Sequence, residues 1–198
     1  MMNPRASGFI PWRNTAERYG AVSQFLHWTV VALVITQFAL GFTVAGMPIS
    51  LERLIILVRH KSIGMTILAL ALLRLVWRLF SPAPPLPDHM PRVQRLAAHV
   101  NHVLLYGLLI AMPIVGWITS SASHLTVTWF GLFSFPNLVG PDAHLAKLAK
   151  ATHAAMAWVL LVVASLHALA ALWHHFVTKD SVLLRMLPLR IATPKDPS

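Results

Sequence analysis

The chain has 198 residues, of which 57% are hydrophobic and 11% charged, with a mean hydropathy of +0.66. A water-soluble domain carries roughly 25% charged residues, so the deficit implies that most of this chain's solvent is lipid. The net charge of +10 does not indicate nucleic acid, because the basic residues border apolar runs instead of clustering on one groove-fitting face.

The first twenty residues are polar, with Arg5, Arg13 and Arg18, and the apolar run behind them is too long for a cleaved leader. A membrane-crossing helix needs about 20 largely apolar residues. Between Arg18 and Glu52 no charged residue occurs, and a first helix is expected over about 22–46, ending near Gly46-Met47-Pro48. A second is expected over about 54–80. Only Ser62 to Leu73 is free of charge there, but Arg59, Lys61, Arg74 and Arg78 have side chains long enough to snorkel. The run from Ser81 to Pro91 holds five prolines, cannot continue a helix and reads as a stiff extended connector. A third helix is expected over about 96–118, with Pro113 tolerated inside it. Ser120 to Lys150 carries Trp129, Phe130, Phe133 and Phe135 and reads as an interfacial segment lidding one end of the bundle, since aromatic rings favour the headgroup layer. Nothing charged lies between Lys150 and Lys179, which places a fourth helix over about 151–177.

The expected fold is an all-α membrane protein, a four-transmembrane-helix bundle forming a single domain over 1–198. Arg5, Arg13, Arg18, Arg74, Arg78, Arg92, Arg95, Lys179, Arg185, Arg190 and Lys195 fall at one end, against Arg53, Arg59, Lys61, Lys147 and Lys150 at the other. Basic residues accumulate on the cytoplasmic side, so both termini are expected in the cytoplasm of a multi-pass protein. No internal repeat points to an inverted-repeat transporter.

The chain has no cysteine and eleven histidines. Disulfides, iron–sulfur ligation, thiolate zinc sites and covalent haem attachment are excluded, leaving histidine as the strong transition-metal ligand. An ionisable residue inside a span is a functional-site hypothesis, and four histidines qualify. His27 falls near the inner end of the first helix and His60 near the outer end of the second. On the fourth, His153 is outer and His167 deeper. The last two are fourteen residues apart, roughly 21 Å along the axis and about 40° short of whole turns, so they share one stripe at two depths. One helix presenting two such ligands can serve two stacked haems. Depth sets the pairs: His60 with His153 for the outer iron, His27 with His167 for the inner. Bis-histidine ligation saturates iron, and the expected chemistry is electron transfer. Zinc would want about four ligands around one point, and the spans offer no carboxylate. Gly41, Gly64 and Gly107 would admit a macrocycle close to the backbone, or simply aid helix packing.

An ordered set of local patterns then carries a resemblance over nearly the whole chain. These are Gln24-Phe-Leu-His27-Trp28, Arg59-His60-Lys-Ser-Ile-Gly64, Ala98-His-Val-Asn-His102-Val-Leu-Leu-Tyr106 with Met112-Pro-Ile-Val-Gly116, Thr152-His153, Ser165-Leu-His167 through Trp173-His174-His175, and Lys179-Asp180 with Leu183-Leu-Arg-Met-Leu-Pro188. Together they resemble the prokaryotic cytochrome b-561 family, whose single-chain bacterial members include a superoxide oxidase. The chain departs from that pattern in a longer N-terminal segment and a longer aromatic outer loop. The resemblance implies four helices in the bacterial inner (cytoplasmic) membrane and two haem b groups on His27, His60, His153 and His167. It also implies electron exchange with quinone, in the superoxide oxidase type from superoxide at the outer face to ubiquinone as substrate.

Around these sites, Arg74 is expected to pair with an inner haem propionate or to contact the quinone headgroup, the alternative being a side chain that snorkels to the surface. His174, seven residues beyond His167, is a candidate for quinone contact and proton supply, or an interfacial anchor. His99 and His102 read as neighbours of the ligands or as interfacial, and His89, His124 and His144 as solvated loop residues. Arg53, Arg59 and Lys61, with Lys147 and Lys150, form a basic outer rim that can steer superoxide, bind lipid phosphate or balance propionates. No catalytic residue beyond the haems is expected. Besides oxidation of superoxide by ubiquinone, two readings compete: a cytochrome b electron-transfer or anchor subunit of a larger dehydrogenase or hydrogenase, and a histidine-rich metal transporter.

Overall fold

The computed structural model describes residues 10–87 and 90–188. Four long helices dominate: α1 Ala21–Gly46, α2 Leu51–Phe80, α3 Arg92–Ala122 and α4 Ala143–Trp173. At about 1.5 Å per residue, even the 26 residues of α1 exceed the roughly 30 Å hydrocarbon core. All four are long and apolar enough to cross a membrane. Their outward faces carry Phe25, Ile35, Phe42, Leu72, Leu73, Val103, Trp158, Val162 and Leu169 in the open, an arrangement that lipid stabilises and water would not. Three hydroxyls within the spans turn back on their own helix, Thr36 to the Ala32 carbonyl, Thr43 to Ala39 and Thr119 to Val115, which satisfies those donors without a partner from outside the helix.

Neighbours in sequence are neighbours in space. α1 packs on α2, α2 on α3 and α3 on α4, while α4 meets α1 through Phe42 and Trp158, ring centroids 5.7 Å apart. Ser50 caps α2 by accepting the Arg53 N–H. α4 begins at Ala143, a turn and more before the expected 151, because Asp142 Oδ1 accepts the His144 and Leu145 N–H groups at 2.8 and 3.0 Å. His144 therefore lies in the first turn of α4, a correction to its loop assignment; it is exposed, as is His124, which does lie in a turn. His89 lies outside the described residues. α3 runs unbroken through Pro113.

The aromatic segment between α3 and α4 folds into a small hairpin, β1 Thr128–Trp129 and β2 Phe133–Ser134, antiparallel with Thr128 opposite Ser134. Its turn places Phe130 and Gly131 at φ of 48° and 75°, the left-handed conformation that hairpin turns demand and glycine adopts freely. The hairpin is fastened to α2: Ser62 Oγ accepts the Phe130 N–H and stands 3.0 Å from the Thr128 carbonyl, and Trp129 Nε1 donates to Thr66 Oγ1 at 3.0 Å. Below it, Val127 joins Met65 and Leu68 in the main buried cluster.

The opposite end is closed by three segments that the helix pattern leaves out. Residues 10–20 fold across it, with the Asn14 N–H donating to Ser81 Oγ and Asn14 Nδ2 donating to the Ser81 and Pro82 carbonyls. Gly20 sits so close to the Arg13 backbone that a Cβ would lie 2.4 Å from its carbonyl carbon. The C-terminal tail completes the closure. The Tyr19 N–H and Gln24 Nε2 donate to the Arg185 carbonyl, Trp28 Nε1 to the Met186 carbonyl, and Arg185 Nη1 to the Pro85 carbonyl. The bundle thus has a termini end and a hairpin end.

Candidate functional site

Two imidazole pairs stack along the bundle. Toward the hairpin end, His60 of α2 and His153 of α4 stand with ring centroids 6.1 Å apart and planes at 71°. Toward the termini end, His27 of α1 and His167 of α4 stand 6.3 Å apart at 73°. A nitrogen–metal bond is about 2 Å; two imidazoles on opposite sides of one metal atom therefore place their centroids about 6 Å apart. Both pairs have that spacing. Among the described residues no three of His, Cys, Asp or Glu converge on one point, so the arrangement does not fit a zinc-type cage and fits a cofactor taking two axial nitrogens.

The surroundings of the pairs set ring orientation. His153 Nδ1 lies 3.1 Å from the Met112 carbonyl, a contact that keeps the proton on Nδ1 and leaves Nε2 available to a metal. Its ring presses on Gly116, where a Cβ would lie 3.1 Å from His153 Cε1. His60 does the same against Gly41, at 3.3 Å. These two glycines make room for the imidazoles themselves. A Cβ at Gly64 would lie 3.2 Å from Gln37 Nε2, and one at Gly107 would meet no other part of the chain within 4 Å. Gln37 Nε2 donates to the His60 carbonyl at 2.9 Å, and the buried His60 Nδ1 has no hydrogen-bond partner.

The termini-end pair has a charged neighbour. Arg74 Nη1 is 2.8 Å from His27 Nδ1, and its Cζ is 5.8 Å from the centroid of the Tyr106 ring. A guanidinium only donates, so in this contact Nδ1 accepts and the imidazole proton sits on Nε2. His102 of α3 is also here, its ring centroid 5.2 Å from that of His167, while His99 is exposed. Tyr19, beside Arg74 and Arg78, has its phenol pushed up by burial, which outweighs the opposing pull of those two cations.

Beyond His167, α4 widens into a π-helical turn, His174–Thr178, closed by Lys179 in the left-handed conformation at φ 56°. His174 is turned toward the tail, its Nδ1 2.5 Å from Asp180 Oδ2. At the hairpin end, Arg53 Nε donates to the Val44 carbonyl at the last turn of α1. Arg59, Lys147 and Lys150 are exposed and Lys61 is partly buried.

A family described as prokaryotic cytochrome b561 matches residues 18–189. The chain belongs to that family. It is therefore an electron-transferring membrane cytochrome that binds haem b, an oxidoreductase embedded in a bacterial membrane by several spans. Cytochrome b561 homolog 2 of Escherichia coli (strain K12) is 38% identical over 185 residues, covering 90% of this chain and 95% of that protein. A probable superoxide oxidase CybB of Yersinia pestis is 36% identical over 173 residues, covering 87% and 97%. Cytochrome b561 homolog 1 of Escherichia coli (strain K12) is 29% identical over 177 residues, covering 87% and 98%.

Gln37 has no place in the expectations above, and Asn101, Met112 and Gly116 stand there only within the motifs of the resemblance, without a role. Asn101 Nδ2 donates to the Val163 carbonyl on α4. A polar amide in an apolar span is itself a signal, and would have found Gln37 and Asn101; nothing in the sequence marks a backbone carbonyl as the partner of His153.

Proposed function

We propose that this cytochrome carries two haem b groups, one on His60 and His153 and one on His27 and His167, and passes electrons from a periplasmic donor, superoxide, to ubiquinone within the membrane. The observation that carries the reading is the pair of imidazole couples at metal-bridging separation, stacked on the single stripe that His153 and His167 define on α4. A haem held between two imidazoles would supply one-electron transfer. The protein's own residues do the rest. His153 is held by the Met112 carbonyl with Nε2 free. His27 would hold a haem through Nε2 with its proton on Nδ1, and Arg74, now 2.8 Å from that nitrogen, would then be free to pair with a carboxylate such as a haem propionate.

The similarity to a probable superoxide oxidase favours superoxide as donor, and the exposed Arg59, Lys147 and Lys150 supply positive charge at the hairpin end to concentrate that anion. Arg53 is taken up by the Val44 carbonyl and contributes less. The excess of Lys and Arg at the termini end orients that end toward the cytoplasm. Ubiquinone reduction belongs there, beside His174, whose imidazole is able to deliver protons.

A second reading, an electron-carrying anchor for a partner dehydrogenase or hydrogenase, is favoured by the hairpin tip, where Phe130, Leu132 and Phe133 are 52%, 75% and 50% exposed. Purified protein given superoxide and ubiquinone decides between them. Steady quinone reduction without a partner supports the enzyme; haem that reduces but never turns over supports the anchor.

A further inference from the structure

The chain's described carboxylates are exposed except one. Glu17, Glu52 and Asp142 lie in the open, whereas Asp180 is 4% exposed with its side chain fully covered. Burying a carboxylate is costly unless it is paired and hydrogen-bonded, and this one is both. Oδ2 stands 2.5 Å from His174 Nδ1, Oδ1 accepts the Val182 N–H at 3.0 Å, and the Asp180 N–H donates to the His174 carbonyl at 3.1 Å. The π-helical turn between the two residues, with Lys179 in the left-handed conformation, folds the chain back so that the carboxylate meets the ring. A regular α-helix carries a residue six positions on to the far side of the axis. The π turn, of a type often found at functional sites, therefore brings the pair together. The His174 side chain remains 14% exposed, and its Nε2 has no protein partner among the described residues.

We propose that Asp180 is the positioning residue for proton delivery to quinone, holding the His174 proton on Nδ1 and stabilising the imidazolium whose Nε2–H bond breaks when the quinone oxygen is protonated. This rests on the reading of ubiquinone reduction beside His174. The balance is one ubiquinone, two electrons and two protons to one ubiquinol. The electrons come singly from superoxide, each oxidised to dioxygen, by way of the haems. Each proton leaves His174 Nε2 as an O–H bond forms, and the neutral imidazole, still bonded to Asp180 through Nδ1–H, is recharged from water at the termini end. A carboxylate that orients an imidazole and stabilises its cation without taking the proton is a known division of labour.

The test uses the full-length, haem-loaded protein with a soluble ubiquinone analogue. It compares His174→Gln, Asp180→Asn, Asp180→Glu and the Gln/Asn double variant for kcat, KM and solvent deuterium isotope effect. Asparagine keeps the acceptor for Val182 and removes the charge, and haem content with the reduced-minus-oxidised spectrum reports folding. The expected result is a kcat at least about tenfold lower in Asp180→Asn with KM little changed, less than the roughly 10²–10⁴-fold of losing acid–base assistance outright because the imidazole remains, and a larger isotope effect. Asp180→Glu falls between Asn and the parent, and the double variant is no slower than His174→Gln, as residues acting as one unit require. A purely structural aspartate would leave the isotope effect alone and add its loss to that of His174→Gln. Parental kcat in Asp180→Asn beside a slow His174→Gln overturns the proposal and leaves the quinone site standing; parental kcat in His174→Gln overturns the site itself. Should the Asn variant lose haem, a loss in Asp180→Glu that adds in full to that of His174→Gln in the corresponding double variant overturns the proposal.

Discussion

The imidazoles of His60 and His153 come from helices separated in sequence by the whole of α3, yet their ring centroids stand 6.1 Å apart with planes at 71°. Near-perpendicular imidazoles on one iron leave its two π-bonding d orbitals almost equal in energy, because each ring interacts with a different one. The His27–His167 pair at 73° has the same property. The oxidised protein is therefore expected to give strongly anisotropic low-spin signals by electron paramagnetic resonance at low temperature. Signals of parallel-plane bis-imidazole haem would contradict the geometry.

Gly116 and Gly41 hold the hairpin-end rings in place by having no side chain. Gly116→Ala brings a Cβ to 3.1 Å from His153 Cε1, tighter than ordinary van der Waals contact, whereas a Cβ at Gly46 meets open space. Gly116→Ala is expected to cost about 1–3 kcal/mol, the usual range for overpacking, and to lower haem occupancy at the hairpin end; Gly46→Ala is expected to do neither. Haem titration into the apoprotein measures the difference.

Arg74 bears on potential. A positive charge beside a haem favours the electron-bearing state, so Arg74→Leu is expected to lower the midpoint of the termini-end haem by on the order of tens of millivolts and to leave the other haem's midpoint nearly unchanged. A spectroelectrochemical titration resolves the two. An unchanged pair of midpoints would place Arg74 away from both groups.

Steering at the hairpin end depends on salt. Replacing Arg59, Lys147 and Lys150 together with Gln is expected to slow haem reduction by superoxide about tenfold at low ionic strength and to flatten its salt dependence. Stopped-flow reduction across a salt series checks this, and rates that match the parent at every salt concentration would reject steering.

Much of this fold is legible in the chain because long charge-free runs admit no other solvent than lipid, as between Lys150 and Lys179. The start of α4 was not, since Ser120 to Lys150 reads as an interfacial segment with His144 in a loop, and the capping by Asp142 is a local contact that hydropathy does not register. The hairpin was hidden for a related reason: strands of two residues are too short to display alternation, and what holds them is Ser62 and Thr66, some sixty residues away. Pairing by depth on a 3.6-residue helix groups His60 with His153 and His27 with His167, and the structure places the ring centroids of those two pairs 6.1 and 6.3 Å apart. The same spacing argument says nothing of His102, whose closeness to His167 follows from how α3 lies against α4. Nor could it foresee the closure of the termini end, where Asn14, Gly20 and Arg185 work through backbone carbonyls.

The most direct test is the haem-to-protein ratio of the parent beside His153→Ala and His167→Ala, by pyridine haemochrome assay on purified protein, with redox titration of the intact variants to tell which haem remains. Two haems per chain in the parent and one in each variant, with a different one lost each time, is the predicted result. One haem in the parent, or two retained in both variants, would contradict a bundle built around two imidazole-clasped irons.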